Sequence, residues 1–595
     1  MMDLWLFSGT KLRTKFDTIV KVVINYENHY NINMKKIFFA ALILISSNFL
    51  LFSQVSGDAQ IIKSEHWVYQ DLLTLSSELR IGNFSTNTPI TVGEIKMYFN
   101  EYDRELLSDS GKIVYDRIYS FLYTPKTLFP NNYFKAGLGL KIAPELCYKS
   151  NDQIDWTYNY YFKNNPLSAE ANLGISEYFA LGGNFFLGKN KKYSNAPGNF
   201  TNIPLGVDQY EFLFPRFAYG SLGVTFDKWG VNVNVGKEGM QIGKTKTGSI
   251  IYNNTFETDG YFQLAVYSHD VKYTMDIIEI EKNKFLYWHE FDVRLFKKVK
   301  IGIMEGALVN APFEIRFLNP TMVFHSFAFW KDFSTLTEDH YYNESHCCSY
   351  LGITFELNLI KNLRIYGLYA MNEIQLPNEY AFIKDLSYPD SFGGQLGFEL
   401  KLPSDFGGYW SSCIEGVYCA PFLYVKQAPD WSLYRRRTDN VTWDTVNSWI
   451  GSPLGPDNLS INFSFGYDQP GKWSAGFNYL FSLHGENGFN LFDANTWFNN
   501  DLGIWTYYPY TKYILAQDAS NQHEMNLAVA EGRNMFMTRV IECKHQFSLN
   551  ESYNFNSKLK VQSEIVYTFV CNARHISGNF QHGFQGAVSI EYNLF

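Results

Sequence analysis

The sequence predicts a closed antiparallel β-barrel that crosses a membrane, with a small N-terminal helical bundle before it. Three observations predict this fold. They are a hydropathy period of two over most of the chain, a composition rich in aromatic and poor in charged residues, and an alternation of tight turns with long connections. Strands of a membrane barrel need an apolar face toward lipid and a polar face toward the lumen.

The composition fits such a barrel. Aromatic residues make up 18% of the 595 residues and charged residues another 18%, against about 25% charged residues in soluble domains. Mean hydropathy is −0.20, which argues against a bundle of membrane-spanning helices. A large soluble β-protein rich in Tyr and Phe has a similar composition, so composition alone leaves both classes open.

The net charge and the cysteines exclude some classes of function and of bound cofactor. A formal charge of −9 provides no basic surface for nucleic acid. Cys413 and Cys419 are expected on one strand, where their separation of about 20 Å is too large for a disulfide bond. His346, Cys347 and Cys348 have no second ligand pair at a metal-binding spacing. We therefore predict neither a metal nor another cofactor.

The N-terminal region reads as an export signal. Two lysines after Met34, an apolar run over 37–52 and small residues up to Gly57 are the three parts of a secretory signal peptide, assigned to 34–57. Residues 1–33 are interpreted as a mis-called start or an extension. After this signal the sequence has no apolar stretch long enough for a transmembrane helix, so any membrane span is predicted to be a strand.

Residues 58–130 are predicted to form a periplasmic helical bundle or plug. Val68, Leu72, Leu75 and Leu79 lie on one helix face. Thr91 and Glu94 have capping-box spacing, which predicts the start of a second helix. A third apolar stripe follows over 113–122. These stripes are interpreted as packing faces.

Residues 131–595 are predicted to form the barrel. The clearest hairpin alternates apolar and polar residues over 459–467, turns at 468–472 and returns over 473–483. The same alternation recurs over 222–235, 291–303, 351–365 and 559–569. The polar face carries charges, as a wet lumen permits, at Glu290, Asp292, Arg294, Glu399, Lys401 and Glu415. The alternating strand that ends in Phe595 resembles the assembly signal of outer-membrane proteins, although the aromatic end is one residue out of phase.

Glu305 does not fit the simple alternation. Counting from Val299 points its side chain at lipid, where an acid at mid-depth is unfavourable. A β-bulge near Gly302 would turn Glu305 inward. We therefore predict that Glu305 does not face lipid.

Several segments in shared order resemble the capsule assembly protein Wzi family. They include the His289 strand, the strand that carries Gly302 and Glu305, and the step Leu318-Asn319-Pro320. The further matches lie at 67–90, 366–369, 415–424, 451–457 and 484–485. The resemblance covers roughly residues 64–595. It implies a barrel of about 18 strands with a helical bundle at its periplasmic mouth.

The resemblance also implies a lectin-like role in the outer membrane of a diderm bacterium, with surface-exposed loops that attach or organise capsular or other surface polysaccharide. The expected partners are outer-membrane lipid, a lipopolysaccharide-like glycolipid and capsular polysaccharide or exopolysaccharide, and the expected state is a monomer. A porin or substrate-specific channel is the alternative. No catalytic motif is found, so no enzyme is predicted. A barrel hydrolase with scattered catalytic residues is a further class.

One loop holds candidate glycan-binding residues. Aromatic faces can pack on sugar C–H groups, and arginine can bind carboxylates through two hydrogen bonds. The candidates are Trp431, Tyr434, Arg435, Arg436, Arg437 and Trp443. The alternative is that the aromatic residues belong to the interface girdle and the arginines face lipopolysaccharide phosphates. We hypothesise that the run 435–437 holds an anionic glycan.

Overall fold

The computed structural model describes most of the chain after residue 56. The described residues are 57–83, 85–124, 133–154, 166–189, 200–202, 210–213, 217–253, 259–324, 347–373, 390–425, 432–438, 445–486, 498–499, 504–505, 537 and 540–594. Residues 34–56 of the predicted signal peptide and the terminal Phe595 lie outside this part of the chain, so the signal peptide and the terminal assembly signal stay predictions.

Three α-helices occur in the described residues, and polar side chains cap the N-terminus of each. Helix α1 spans Trp67–Leu79, α2 spans Val92–Phe99 and α3 spans Asp109–Tyr123. Thr91 Oγ1 accepts a hydrogen bond from the Glu94 amide at 3.2 Å, as the capping-box spacing predicts. None of these helices is long and apolar enough to span a membrane.

The strands form one closed barrel and three small pairs. Strands β1 (Ile61–Ile62) and β2 (Ile90–Thr91) pair beside the helices. The barrel begins with β3 (Phe134–Ile142), β4 (Glu145–Lys149), β5 (Leu167–Ile175), β6 (Phe179–Lys189), β7 (Phe200–Thr201), β8 (Tyr210–Leu213), β9 (Ala218–Thr225), β10 (Trp229–Glu238), β11 (Asp259–Ser268), β12 (Val271–Glu281) and β13 (Lys284–Leu295).

It continues with β14 (Val299–Asn310), β15 (Cys347–Ile360), β16 (Leu363–Glu373), β17 (Ser391–Ser404) and β18 (Gly408–Cys419). The pair β19 (Tyr434–Thr438) and β20 (Thr445–Trp449) lies outside the barrel sheet. Strands β21 (Asn458–Gln469) and β22 (Trp473–His484) follow, then the short pair β23 (Phe498–Asn499) and β24 (Ile504–Trp505). The barrel ends with β25 (Glu542–Asn554), β26 (Leu559–Cys571) and β27 (Gln581–Asn593).

The barrel is antiparallel and has 18 strands, which confirms the predicted fold class. Strands β3 and β4 are two parts of the first strand, while β7 and β8 are short additional pairings on β4 and β6. The sheet closes because β27 pairs with both β3 and β4. Closure leaves no free sheet edge, which is the condition for a β-structure in hydrocarbon.

Most strands place mainly apolar residues outside and mainly polar residues inside. Along β17, Leu396, Phe398 and Leu400 are exposed on the outer wall, while Glu399 and Lys401 between them are buried in the lumen. All six charged residues that the sequence analysis assigned to the lumen are buried. The outer wall therefore presents an apolar surface that suits lipid, and the inner wall presents charges.

The two ends of the barrel differ in the length of their connections. At one end, here called the short-turn end, hairpins turn over a few residues, as at 296–298, 361–362 and 405–407. At the other end, here called the loop end, most connections are long, as between β18 and β21 and between β22 and β25. Outer-membrane barrels place short turns in the periplasm and long loops outside the cell.

The position of Glu305 differs from the prediction. The pairing of β14 is continuous from Val299 to Asn310, with no bulge near Gly302, so Glu305 lies on the outer wall. Two features make this position tolerable. His289 on the neighbouring strand lies with its Nε2 atom 2.9 Å from Glu305 Oε2. Segment 311–324 folds over the same wall, and the Phe324 ring packs 5.0 Å from the His289 ring.

Candidate functional site

The lumen is the candidate site, and it is filled from both ends. The three helices with their connections, residues 57–124, are called the plug. Connections from the loop end that fold inward, residues 239–253, 420–425, 432–438 and 445–457, are called the cap. A polar cavity remains on one side of the lumen.

The plug closes the short-turn end. The Gly82 amide donates a hydrogen bond to Lys297 O at 2.7 Å, and Asn362 donates from its amide to Ser77 O at 2.9 Å. Ser110 Oγ donates to Ser404 O at 2.9 Å. All three barrel partners lie in or beside short turns, so the plug is held at the end that outer-membrane barrels direct to the periplasm.

Buried ion pairs join the plug to the wall. Lys272 Nζ on β12 lies 2.6 Å from Glu94 Oε1 on α2, and the two side chains are 3% and 1% exposed. Arg294 on β13 donates to Glu101 at 2.7 Å. A buried charge without a partner is costly. The wall supplies the cations and the plug supplies the carboxylates, so each neutralises the buried charges of the other.

Glu78 on α1 is the centre of a second set of contacts. It accepts hydrogen bonds from the Ser108 amide at 2.5 Å and from the Tyr409 hydroxyl of β18 at 2.7 Å. Nearby, Lys401 Nζ donates to Thr74 Oγ1 at 2.8 Å. These bonds tie α1 both to the start of α3 and to the wall.

His66 caps α1 and titrates in an unusual range. Its Nδ1 atom accepts a hydrogen bond from the Val68 amide at 3.4 Å. Loss of hydration lowers the pKa of His66 from 6.5 to about 4, and the nearby charges of Lys63 and Arg117 act in the same direction against Glu170. The neutral imidazole is the form that can accept this hydrogen bond, so the cap and the pKa agree.

Gly302 lies where the wall is crowded with oxygen atoms. A Cβ atom at this position would lie 2.5 Å from both Asp292 Oδ1 and Thr354 Oγ1 and 2.9 Å from Glu290 Oε1. Lys300 Nζ lies 3.3 Å from Asp292 Oδ1. Glycine is required here because any side chain would displace the carboxylates that balance the buried lysine.

The cap forms an apolar core inside the loop end. Ile250, Ile251 and Tyr252 of the first inward segment pack with Tyr424 and Trp449 of the later segments. The Tyr424 and Trp449 rings stack at 5.9 Å. Inner-wall residues such as Trp288 and Tyr350 complete the same cluster. The cap is therefore a packed part of the barrel interior.

Two of the predicted glycan-binding residues belong to this core. Arg435 is 0% exposed; its guanidinium donates to Asp259 Oδ2 at 2.6 Å and to the backbone oxygens of Trp449 and Asn253, both at 3.2 Å. Tyr434 is 2% exposed. The expectation that these side chains face a ligand is therefore not met, because Arg435 neutralises a buried aspartate and Tyr434 packs in the cap.

The structure does not describe the side chains of the other four candidate residues. Arg436 and Arg437 follow Arg435 on β19, whose hairpin partner is β20, and their side chains lie outside the described residues. Trp431 and Trp443 also lie outside the described part of the chain. Glycan binding by these four residues stays a prediction.

A polar cavity of about 840 Å³ occupies the side of the lumen that the plug and cap leave open. Beside aromatic and aliphatic side chains, hydroxyl and amide groups from β21, β22 and β25 line part of its wall. They include Asn462, Ser464, Asn478, Gln546, Asn550 and Ser552. Such groups both donate and accept hydrogen bonds, as sugar hydroxyls do. The period of two placed Asn462, Ser464 and Asn478 on the polar face of a hairpin. No sequence signal identified the strand that carries Gln546, Asn550 and Ser552, or showed that the plug and the cap leave this wall open.

Charged side chains also line this cavity. Lys246, Lys401 and Lys560 contribute cations. Arg117 from α3 lies with its Nη1 atom 3.2 Å from Asp71 Oδ2. Burial raises the pKa of Asp71 to about 7, although the neighbouring Arg117 acts against this shift. The cavity is thus polar with an excess of positive groups, which suits a hydroxylated or anionic ligand.

The closed barrel, its apolar outer wall and its short-turn and loop ends define an outer-membrane β-barrel protein. No protein-family model matches the sequence. No curated protein matches it either.

Among solved structures, the chain is similar to Wzi of Escherichia coli, described as an outer membrane protein involved in group 1 capsule assembly and a carbohydrate binding beta-barrel. The TM-score is 0.52 at 10% identity, over 90% of this chain and 99% of Wzi. OprD of Pseudomonas aeruginosa gives 0.37 at 10% identity, over 77% and 96% of the two chains. The outer membrane channel DcaP of Acinetobacter baumannii gives 0.30 at 9%, over 78% and 99%. At these identities the likeness concerns the fold.

Proposed function

We propose that this protein is a non-enzymatic, lectin-like barrel of the outer membrane that attaches or organises surface polysaccharide on the cell. The observation that carries the proposal is the occupied lumen. Buried ion pairs such as Lys272–Glu94 hold the plug at the short-turn end, and the cap is packed into the loop end. A barrel built in this way favours a binding role over free diffusion of solutes.

The chemistry of the loop end supports a glycan as the ligand. Arg436 and Arg437 follow a buried arginine on β19 in the connection between β18 and β21. Arginine side chains can bind the carboxylates of acidic sugars through two hydrogen bonds each. The fold likeness to Wzi, which its description calls a carbohydrate binding barrel, points the same way. We expect a monomer surrounded by outer-membrane lipid and lipopolysaccharide-like glycolipid.

Retention of polysaccharide by cells tests the proposal. Cells that lack the protein are complemented with the wild type or with Arg436→Ala/Arg437→Ala, and cell-bound and released polysaccharide are measured. Arg435 stays unchanged, because replacing it would remove the partner of Asp259. We expect release from the deleted strain, and partial release from the double variant at equal surface abundance. Unchanged retention in the deleted strain would rule the proposal out.

The polar cavity favours a second candidate function, a substrate-specific channel. The cavity reaches the short turn at 469–472, and hydroxyl and amide groups are among the residues that line it. Planar-bilayer recordings of the full chain separate the two functions. A retention protein is expected to give negligible conductance, whereas steady open steps from the intact protein favour the channel.

A further inference from the structure

We propose that Cys543 and Cys571 form a disulfide bond in the mature protein and that this bond fastens the base of the long connection between β22 and β25. The proposal rests on the outer-membrane location included in the proposed function, because that location exposes the chain to an oxidising compartment. Cys543 is the second residue of β25, and Cys571 is the last residue of β26. Both lie at the loop end.

The register of the two strands places the cysteines directly opposite each other. Directly opposed residues of an antiparallel pair have Cα atoms about 4.5 or 5.5 Å apart, depending on the hydrogen-bonding pattern. Disulfide bonds accept Cα separations of about 4.4–6.8 Å. Opposed residues also point to the same face, so both sulfur atoms lie on the outer wall, beside His545 and Phe569 of the same two strands.

No other cysteine of the chain has this arrangement. Cys413 is opposite Glu399 and Ser464, and Cys419 is opposite Gly393 and Asn458. Cys147, Cys347 and Cys348 are likewise opposite residues of other types, at Ala587 and Phe200, Val309 and Leu308. The pairing of Cys543 with Cys571 is therefore specific to one position among seven cysteines.

A histidine next to Cys543 can assist oxidation. His545 Nε2 lies 3.5 Å from Cys543 Sγ, while its Nδ1 atom lies 2.9 Å from the Tyr479 hydroxyl. The thiolate is the reactive form of cysteine, and an imidazole at this distance can accept the thiol proton. Cys543 is thus positioned to be the attacking thiol.

The reaction is a thiol–disulfide exchange with a protein or small-molecule disulfide of the periplasm as oxidant. The Cys543 thiolate attacks one sulfur of the oxidant, which forms a mixed disulfide and releases the second sulfur as a thiolate. The Cys571 thiolate then attacks Cys543 Sγ, forming the internal bond and releasing the first sulfur of the oxidant. The two cysteines lose two protons and two electrons, and the disulfide of the oxidant is reduced to two thiols.

The bond would lie where three segments of the barrel rim meet. Val540 donates its amide to Glu486 Oε1 at 3.1 Å. Asn572 Nδ2 donates to Ile541 O at 2.9 Å, and the Arg574 amide donates to Glu542 Oε2 at 2.8 Å. Both ends of the connection 485–541 are therefore already held together by hydrogen bonds at this place. A covalent bond between Cys543 and Cys571 would add a permanent link to this base.

Mass spectrometry of the wild-type protein tests the proposal without a variant. Protein taken from native outer membranes is alkylated before any reduction, digested and analysed. We expect a linked pair of peptides that carry Cys543 and Cys571, lighter by two hydrogen atoms than the free pair and separated by reductant. Cys413 and Cys419 serve as internal controls and are expected in unlinked peptides. Recovery of alkylated, unlinked Cys543 and Cys571 in most molecules would overturn the proposal.

A second measurement tests the role of the bond. Limited proteolysis within 486–541 is compared before and after mild reduction, in the wild type and in Cys543→Ser/Cys571→Ser. We expect reduction to accelerate cleavage in the wild type and to leave the double variant unchanged at its faster rate. Equal rates in all four samples would contradict the fastening role. Neither readout depends on polysaccharide, so failure here is distinguishable from failure of the proposed function.

Discussion

Lys272 of the barrel wall and Glu94 of helix α2 form an ion pair of 2.6 Å that is almost completely removed from solvent. Lys272 belongs to the barrel wall and Glu94 to the plug. Breaking this pair should therefore weaken the binding of the plug to the wall. Glu94 also accepts a hydrogen bond from the Tyr98 hydroxyl, which fixes the carboxylate for the lysine.

We expect Lys272→Met to weaken plug binding by about 3–5 kcal/mol, because it leaves a buried carboxylate without its cation. The measurements are bilayer conductance and protease cleavage of 57–124. Lys272→Met/Glu94→Leu removes both charges and is expected to recover much of the loss. Arg104→Ala, in an exposed pair with Asp116, is the control and is expected to change neither readout. Equal behaviour of Lys272→Met and the control would contradict the prediction.

Glu305 depends on His289 at the outer wall. We expect His289→Leu to lower the free energy of unfolding in lipid vesicles by roughly 1–3 kcal/mol, because the carboxylate loses its imidazole partner in a poorly hydrated place. His289→Leu/Glu305→Leu is expected to regain stability. The test is denaturant unfolding followed by tryptophan fluorescence. A double variant that is less stable than His289→Leu would show that the pair is not the reason for the loss.

The plug should loosen in acid through His66. The folded-state pKa of about 4 lies below the ordinary value of 6.5. The stability contribution of the neutral imidazole is therefore complete above pH 6.5 and is lost as the pH falls from 6.5 toward 4. Hydrogen exchange of the α1 amides, corrected for intrinsic rates, is the measurement.

His66→Asn is the matched control for this pH effect, since asparagine caps helices and does not titrate. We expect its α1 protection to fall less than that of the wild type between pH 7 and pH 4.5. Asp71 titrates in both proteins, so the difference between them isolates His66. Identical loss of protection in the two proteins would exclude His66 as the source.

Gly302 should not tolerate a methyl group. We expect Gly302→Ala to destabilise the barrel by about 1–3 kcal/mol, because the new Cβ would overlap Asp292 and Thr354. Gly416→Ala on β18 is the control, since no atom lies within 4 Å of its added Cβ. Denaturant unfolding of both variants in the same vesicles decides the question. Equal stability would show that the lumen can rearrange around residue 302.

Much of the architecture could be predicted because apolar and polar residues alternate along the strands of a membrane barrel. The predicted hairpin over 459–483 is present, and its two apolar sets lie on one face, with Phe463 opposite Tyr479. The helix face of Val68, Leu72 and Leu75 is buried as expected. Both features are determined by residues that lie close together in the chain, so a local sequence pattern is enough to predict them.

The departures have a different origin. Glu305 stays on the outer wall because His289 and segment 311–324 shelter it, and both lie on other parts of the chain. Arg435 is buried because Asp259, 176 residues away, is placed beside it. Cys543 and Cys571 become neighbours only through strand pairing. Such contacts are set by the closed sheet, and no local pattern predicts them.

The pairing of β27 with β3 and β4 also constrains the order of events during biogenesis. The helices precede β3 in the chain, whereas the seam is sealed by the final hairpin. Before the helices enter the barrel, Lys272, Arg294 and Lys401 of the wall lack the contacts that they make with the plug. The helical segment must therefore either be enclosed while β27 pairs with the first strand or enter afterwards through the short-turn end. In both cases the buried charges of the inner wall would stabilise the plug in its final position.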